Sequence, residues 1–168
     1  MEPCVAPASP SSVEVLEDEA TIKIASSGDI LPARRKGREL ARQIGFSAAE
    51  ATLIVTVISE LTRNIVVYAR RGEIILRRAE SAGRPGIVMV VRDGGPGIPD
   101  LRQALCVGFS TSGSLGLGLP GVKRLMDEFE IVSEVGAGTT VTVKKWINGS
   151  DRLRVRRDVS ADARIFVT

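Results

Sequence analysis

No histidine occurs anywhere in the 168 residues. That absence excludes serine–histidine and cysteine–histidine nucleophile systems, and excludes storage of a phosphoryl group on a histidine of this chain. Cysteine is nearly as scarce. Cys4 and Cys106 stand far apart, so no closely spaced pair begins a zinc site, and none is expected. The chain also lacks any run of eighteen or more consecutive apolar residues, which predicts no membrane span. Its start, MEPCVAPASPSSVEV, has no basic stretch followed by an apolar one, so no secretory signal is expected and the cytoplasm is the expected location.

Charge of one sign is in short supply too. The formal charge is +3, and five arginines of the tail (Arg152, Arg154, Arg156, Arg157, Arg164) against Asp151, Asp158 and Asp162 account for +2 of it. Nucleic-acid surfaces interleave such cations with aromatics. Here only Phe166 is nearby, so a solvated tail or an extra edge strand is expected and a nucleic-acid partner is not.

What is present suits one domain. The length and the 43% hydrophobic content permit a real core. Residues 1–17 are rich in Pro, Ser and acidic side chains and read as a disordered leader; residues 18–146 carry the periodic segments. Residues 147–168 form an extension with two short alternating pieces, able to make a hairpin, a partner-binding strand or nothing ordered.

Alternation predicts a first strand over Ala20–Ala25. Apolar spacing predicts a helix over Leu31–Ile44, with Ala33, Gly37, Leu40, Ala41 and Ile44 inward and Gly45 ending it. Ser47 and Glu50 form a capping box for a long helix to about Tyr68, with Ile54, Val57, Ile58, Leu61 and Ile65 as its stripe. A strand over Glu73–Arg78, a turn over Ser81–Gly86, and a doubly buried strand over Ile87–Val91 follow. Then come a short helix in 99–106, a mobile loop over 107–116, a helix over Gly118–Glu128, and strands over Phe129–Ser133 and Thr139–Trp146. This order predicts an α/β sandwich with one covered sheet face, in place of the regular alternation of a doubly wound fold.

Three places could carry chemistry. Glu60 and Asn64, four residues apart, share one helix face, although a surface pair between Glu60 and Arg63 would explain them equally. Asp93 opens the loop DGGPGI directly after a buried strand, where ligand crevices form in α/β folds. Its carboxylate can accept an amino hydrogen from a purine, and Gly95 and Gly97 let backbone approach a flat ring. LGLGLPGVKRL ends its glycines where a helix begins, so free N–H groups and the helix dipole can meet a phosphate. Gly116, Gly118 and Gly121 match the dinucleotide pattern, yet no first strand precedes them. They also have P-loop spacing, but Val122 occupies the lysine position.

The order of these motifs is more distinctive than any of them: E-x-x-x-N on a helix, D-x-G-x-G after a strand, G-x-G-x-x-G opening a helix, and Gly-Thr before a last strand. In this the chain resembles the Bergerat-fold ATPase superfamily. SELTRNIVVYA, DGGPGIPD, GFSTSGSLGLGLPGVKRLMDEFEI and GTTVTVKKW, within residues 18–146, are similar to the switch serine/threonine kinases of the bacterial stressosome. The resemblance implies one mixed, largely antiparallel sheet covered on one face by helices. It implies ATP and Mg2+ as cofactors, with Asn64 as the magnesium ligand, Glu60 as general base and Asp93 as the adenine-reading carboxylate. Gly95 and Gly97 would lie behind the base, Gly116, Gly118 and Gly121 would face the phosphates, and Thr139 or Thr140 would supply a hydroxyl near the adenine. The loop 108–115 would form an ATP lid, with Lys123 or Arg124 a candidate for phosphate contact. A STAS-domain protein is the implied substrate, and a PP2C-type phosphatase the implied partner. Two alternatives share the same nucleotide residues: an anti-sigma factor kinase that holds a sigma factor, and an ATP-binding module that transfers nothing.

Overall fold

The structure is a computed structural model that describes residues 14–106 and 117–148. The lid segment 108–115, Gly116 and the arginine-rich tail therefore lie outside the described residues.

Strand β1 (Glu14–Ile24) leads into a short 3-10 turn at Ser27–Asp29. It begins four residues inside the expected leader, and its register against β2 shifts between Val15 and Glu19. The turn is pinned by Asp29, whose Oδ2 accepts from the N–H groups of Ala25 and Ser26 at 3.0 and 2.8 Å. Those two bonds, with the Ser26 hydroxyl, hold its carboxyl below the usual range.

Helix α1 (Ile30–Ile44) buries Ala33, Gly37, Leu40, Ala41 and Ile44, and ends at Gly45. Helix α2 (Ala48–Asn64) starts on the expected capping box: the Ser47 side chain accepts from the Glu50 N–H, and the Ser47 N–H donates to Glu50 Oε2 at 3.0 Å. Regular α-helix stops at Asn64. Ile65–Ala69 then form a π-helical turn closed by Arg70 N–H on the Ile65 carbonyl at 2.6 Å. An unbroken α-helix to Tyr68 was the expectation. The β-branched run Ile65, Val66, Val67 loses side-chain freedom in a tight α-turn, and single π turns commonly sit beside functional sites.

Strands β2 (Gly72–Ser81) and β3 (Arg84–Asp93) are joined by only two residues. The expected six-residue turn over Ser81–Gly86 is replaced by a tight hairpin at Ala82 and Gly83, both at positive φ, with Ser81 paired to Arg84. Such primed turns match the twist of the flanking strands. After a four-residue helix α3 (Leu101–Ala104), helix α4 (Gly118–Leu125) ends earlier than expected. Met126 is extended and Asp127 anchors the next strand to the last: its Oδ2 accepts from the Trp146 N–H at 2.8 Å and its Oδ1 from Lys145 Nζ at 3.0 Å. Strands β4 (Glu128–Glu134) and β5 (Gly138–Trp146) are the last of the described elements.

The sheet order is β1-β2-β3-β5-β4, and all four pairings are antiparallel. The sheet, expected to be mixed and largely antiparallel, is antiparallel in every described pairing. One face packs under the helices, with Ile54, Ile58 and Leu61 of α2 against Ile74, Leu76, Met89 and Val143. The other face holds Ile75, Ala79, Val88, Val90 and Trp146. Alternation along β3 sends successive residues to the two clusters, which explains its nearly continuous apolar run. This is the Bergerat α/β sandwich. The helical stretch Ala48–Ala69 has the length and mean hydropathy, 1.3, of a membrane span, contrary to the expectation from apolar runs alone. Half of that window is buried inside the protein, and its stripe is used up by the sheet.

Candidate nucleotide-binding site

The α2 segment SELTRN mixes polar groups into an apolar helix, and the structure separates them by what they bond. Ser59 Oγ donates to the Val55 carbonyl at 2.8 Å, and Thr62 Oγ1 to the Ile58 carbonyl at 2.6 Å. These hydroxyls turn back on their own helix, a usual solution for such residues. Glu60 is only 5% exposed, and Asn64 half-buried. Neither has a hydrogen-bond or ion-pair partner among the described residues; the surface pair with Arg63 does not form. The side-chain polar atoms of both are therefore free to meet a ligand; among the described residues the fully enclosed side-chain atom without a partner is Arg78 Nε, away from this helix.

Asn64 lines a cavity of ≈ 240 Å³ between α2, the end of β3 and the start of α4. Its walls are mostly apolar, built from Leu61, Ile65, Val91, Ile98, Leu119 and Val141, with Asn64, Tyr68, Asp93 and Thr139 as its polar groups. Apolar walls with a few convergent polar atoms suit a flat heteroaromatic ring. Asp93 stands where β3 ends. Its Oδ1 accepts from the Gly95 N–H at 2.9 Å, a local turn that fixes the carboxylate; its Oδ2 has no partner among the described residues.

The loop after Asp93 is strapped to the β4–β5 turn. The Gly136 N–H donates to the Pro96 carbonyl at 2.9 Å, and the Ile98 N–H to Ser133 Oγ at 2.8 Å. Gly97 has φ 74°, and a Cβ there would collide with the Glu134 backbone. Gly138, at φ 106°, lies equally close under the Asp93 carbonyl. Both positions demand glycine, because the left-handed region and the missing Cβ are needed together.

The structure thus brings Asn64, Asp93, Gly97, Gly118 and Thr139 to one cavity. Glu60 lies one helical turn from Asn64, outside the cavity lining. Gly95 sits behind the wall, where a Cβ would lie 2.6 Å from the Ala69 Cβ. Gly121 is buried in the first turns of α4 against Leu117. Thr140 is the neighbour that the pleat turns the other way: it pairs with Arg92 and Val132 and does not line the cavity. Lys123 and Arg124 are exposed on α4, also outside the lining. Gly116 falls outside the described residues. Sequence inspection passed over Tyr68 and Ser133. The first is the single tyrosine, one helical turn beyond Asn64; the second is a hydroxyl at a position in β4 whose neighbours at i−2 and i−4, Ile131 and Phe129, face inward. Both spacings were readable signals.

Asn64 and Asp93 fit magnesium and ATP by their chemistry. Magnesium keeps waters and takes few protein oxygens alongside phosphates, and Asn64 offers one unpartnered amide. Among known proteins, residues 25–145 match the histidine kinase-like ATPase domain family. Serine/threonine-protein kinase RsbT of Bacillus subtilis (strain 168) is 46% identical over 132 residues, 79% of this chain and 99% of RsbT. An anti-sigma F factor of Geobacillus kaustophilus (strain HTA426) is 34% identical over 123 residues, 66% of this chain and 80% of that protein. Among solved structures, the RsbU and RsbW domains of Rv1364c from Mycobacterium tuberculosis share the fold, with a TM-score of 0.53 at 24% identity, covering 76% of this chain and 31% of that longer one. The chain belongs to the histidine kinase-like ATPase domain family, as a relative of serine/threonine-protein kinase RsbT.

Proposed function

We propose that this protein is an ATP-dependent serine/threonine protein kinase that phosphorylates a STAS-domain protein of a stressosome, in the cytoplasm where ATP is available. The observation that carries this is the convergence of Asn64, Asp93 and Thr139 on one cavity, with the buried Glu60 one helical turn from Asn64. The similarity to RsbT along 99% of its length supports the same activity. Magnesium, when bound, supplies a counter-charge for the phosphates. Asn64 offers it an amide oxygen, and Asp93 accepts from the amino group of the purine. Glu60 takes the proton of the substrate serine or threonine hydroxyl as that oxygen attacks the γ-phosphorus. The leaving group is ADP. Backbone N–H groups at the start of α4 orient the phosphates.

The test is transfer of γ-phosphate to a purified STAS protein encoded beside this chain. Glu60→Gln should lower the transfer rate by roughly 10²–10⁴-fold while ATP affinity stays within a few-fold. Normal phosphorylation by that variant would remove Glu60 as the base. After transfer, the kinase is proposed to bind and activate a PP2C-type phosphatase through protein contact. A second assignment, an anti-sigma kinase, is favoured by the 34% identity to an anti-sigma F factor. Retention of a sigma factor on immobilised protein, with no retention of the phosphatase, would select it. Binding of ATP without transfer to any STAS protein would leave a purely regulatory ATP module.

A further inference from the structure

Ser133 lies outside the cavity lining, yet its hydroxyl touches three groups that shape the purine end of the cavity. It accepts from the Ile98 N–H at 2.8 Å, lies 3.2 Å from the Gly138 carbonyl, and lies 2.8 Å from Thr139 Oγ1. A serine hydroxyl has one proton and two lone pairs. Ile98 takes one lone pair. The Gly138 carbonyl can only accept, so it takes the proton. The remaining lone pair of Ser133 then receives the proton of Thr139. Every group is satisfied by this pattern; the reverse, Ser133 donating to Thr139, leaves it with no proton for the Gly138 carbonyl.

The consequence falls on Thr139, which lines the cavity opposite Asp93 in the β3–β5 pairing. With its proton committed to Ser133, its oxygen presents lone pairs only. The Asp93 carboxylate is likewise an acceptor. We infer that Ser133 is a positioning residue for base selection: by orienting the Thr139 hydroxyl, it makes this edge of the cavity accept only, and so favours a purine carrying an amino group at position 6 over one carrying a carbonyl there. Adenine offers two N–H donors at that position. Hypoxanthine offers an oxygen there, which meets lone pairs, and its single N–H on that edge, at N1, can serve only one of the two acceptors. This inference rests on the ATP assignment proposed above and adds the residue that sets its polarity.

Calorimetric titration with Mg-ATP and Mg-ITP tests it, in the full chain. The native protein should prefer ATP. Ser133→Ala frees the Thr139 proton to meet the carbonyl oxygen of ITP, and should lower the ATP-to-ITP affinity ratio by about tenfold, the scale of one neutral hydrogen bond. Ser133→Thr, which keeps the hydroxyl, should restore the ratio. Thr139→Val should lower the ratio as well, and adding Ser133→Ala to it should change nothing further, because the two act as one unit. A role limited to holding the loop would weaken both nucleotides by the same factor and leave the ratio unchanged, which overturns the inference. If Ser133→Ala shows no cooperative melt, Thr139→Val decides alone: an unchanged ratio there also overturns it. A native protein that binds ATP and ITP equally sinks this inference only, whereas one that binds neither sinks the ATP assignment with it.

Discussion

At the scale of single residues, the site is defined by polar groups that the protein leaves uncompensated. Ser59 and Thr62 satisfy themselves on the carbonyls of Val55 and Ile58, whereas Glu60 and Asn64 do not bond any described residue. Asp93 spends one carboxylate oxygen on the Gly95 N–H and keeps the other for a donor. Asp93→Asn therefore keeps the turn but removes the charge. Hydrogen bonds to charged groups are worth about 1.5–3 kcal/mol, so ATP affinity should fall by about 10–100-fold, with the melting temperature nearly unchanged. Titration calorimetry and a thermal scan on the same sample check both halves. That Glu60 and Asn64 share a helix face was legible from their spacing. Which of Thr139 and Thr140 meets the cavity was not, because a strand's alternation fixes only that they diverge; the register with Asp93 and Ser133 selects Thr139.

At the scale of elements, α2 is the part on which the site depends. Its N-terminus is fixed by the Ser47–Glu50 box and its C-terminus widens into the π turn that carries Tyr68 to the cavity. Ser47→Ala removes the cap and should cost about 1 kcal/mol, visible as a lower urea midpoint with an unchanged slope. The crossing of α1 over α2 depends on Gly37, where a Cβ would run into Ile58 Cδ1 and come within 3.9 Å of Leu76. Gly37→Leu overpacks that contact and should destabilise by about 1–3 kcal/mol, measured by the same denaturation. Helix α2 with its box was readable because capping and periodicity are local. The π turn and the two-residue hairpin at Ala82–Gly83 were not: the first answers crowding by the β-branched run, and the second is imposed by twist matching between two strands whose pairing extends to their ends.

Across the whole molecule, the sheet is closed at its outer strands by ion pairs, Lys23 to Glu73 between β1 and β2, and Lys144 to Glu128 at 2.7 Å between β5 and β4. Glu128 also accepts from Trp146 Nε1 at 2.8 Å. The bond from Lys144, then that from Trp146, hold its carboxyl below the ordinary value of 4.5. A folded value lower than the unfolded one contributes stability that is complete above the unfolded value and is lost as pH falls through the folded one. Thermal scans should accordingly show the native protein losing melting temperature below pH 4.5 more steeply than Glu128→Gln, which has no proton to take up there. The size is modest because the pair is partly exposed. The same end of the sheet is joined by Asp127, a residue expected in the last turn of α4 and found instead bridging to Trp146 and Lys145.

Local physical chemistry determined the element types, the inward faces of α1 and α2, the capping box and the order of motifs, because each depends on residues within a few positions of one another. The resemblance to Bergerat-fold ATPases was legible for the same reason, as a set of short patterns in a fixed order. Only the tertiary structure decided that the sheet is antiparallel throughout its described strands, that α4 stops at Leu125, and that Asn64 lines the cavity while Glu60 does not. Pairing, register and the hydrogen bonds of Ser133 join residues far apart in the chain, and no local propensity encodes which partners meet.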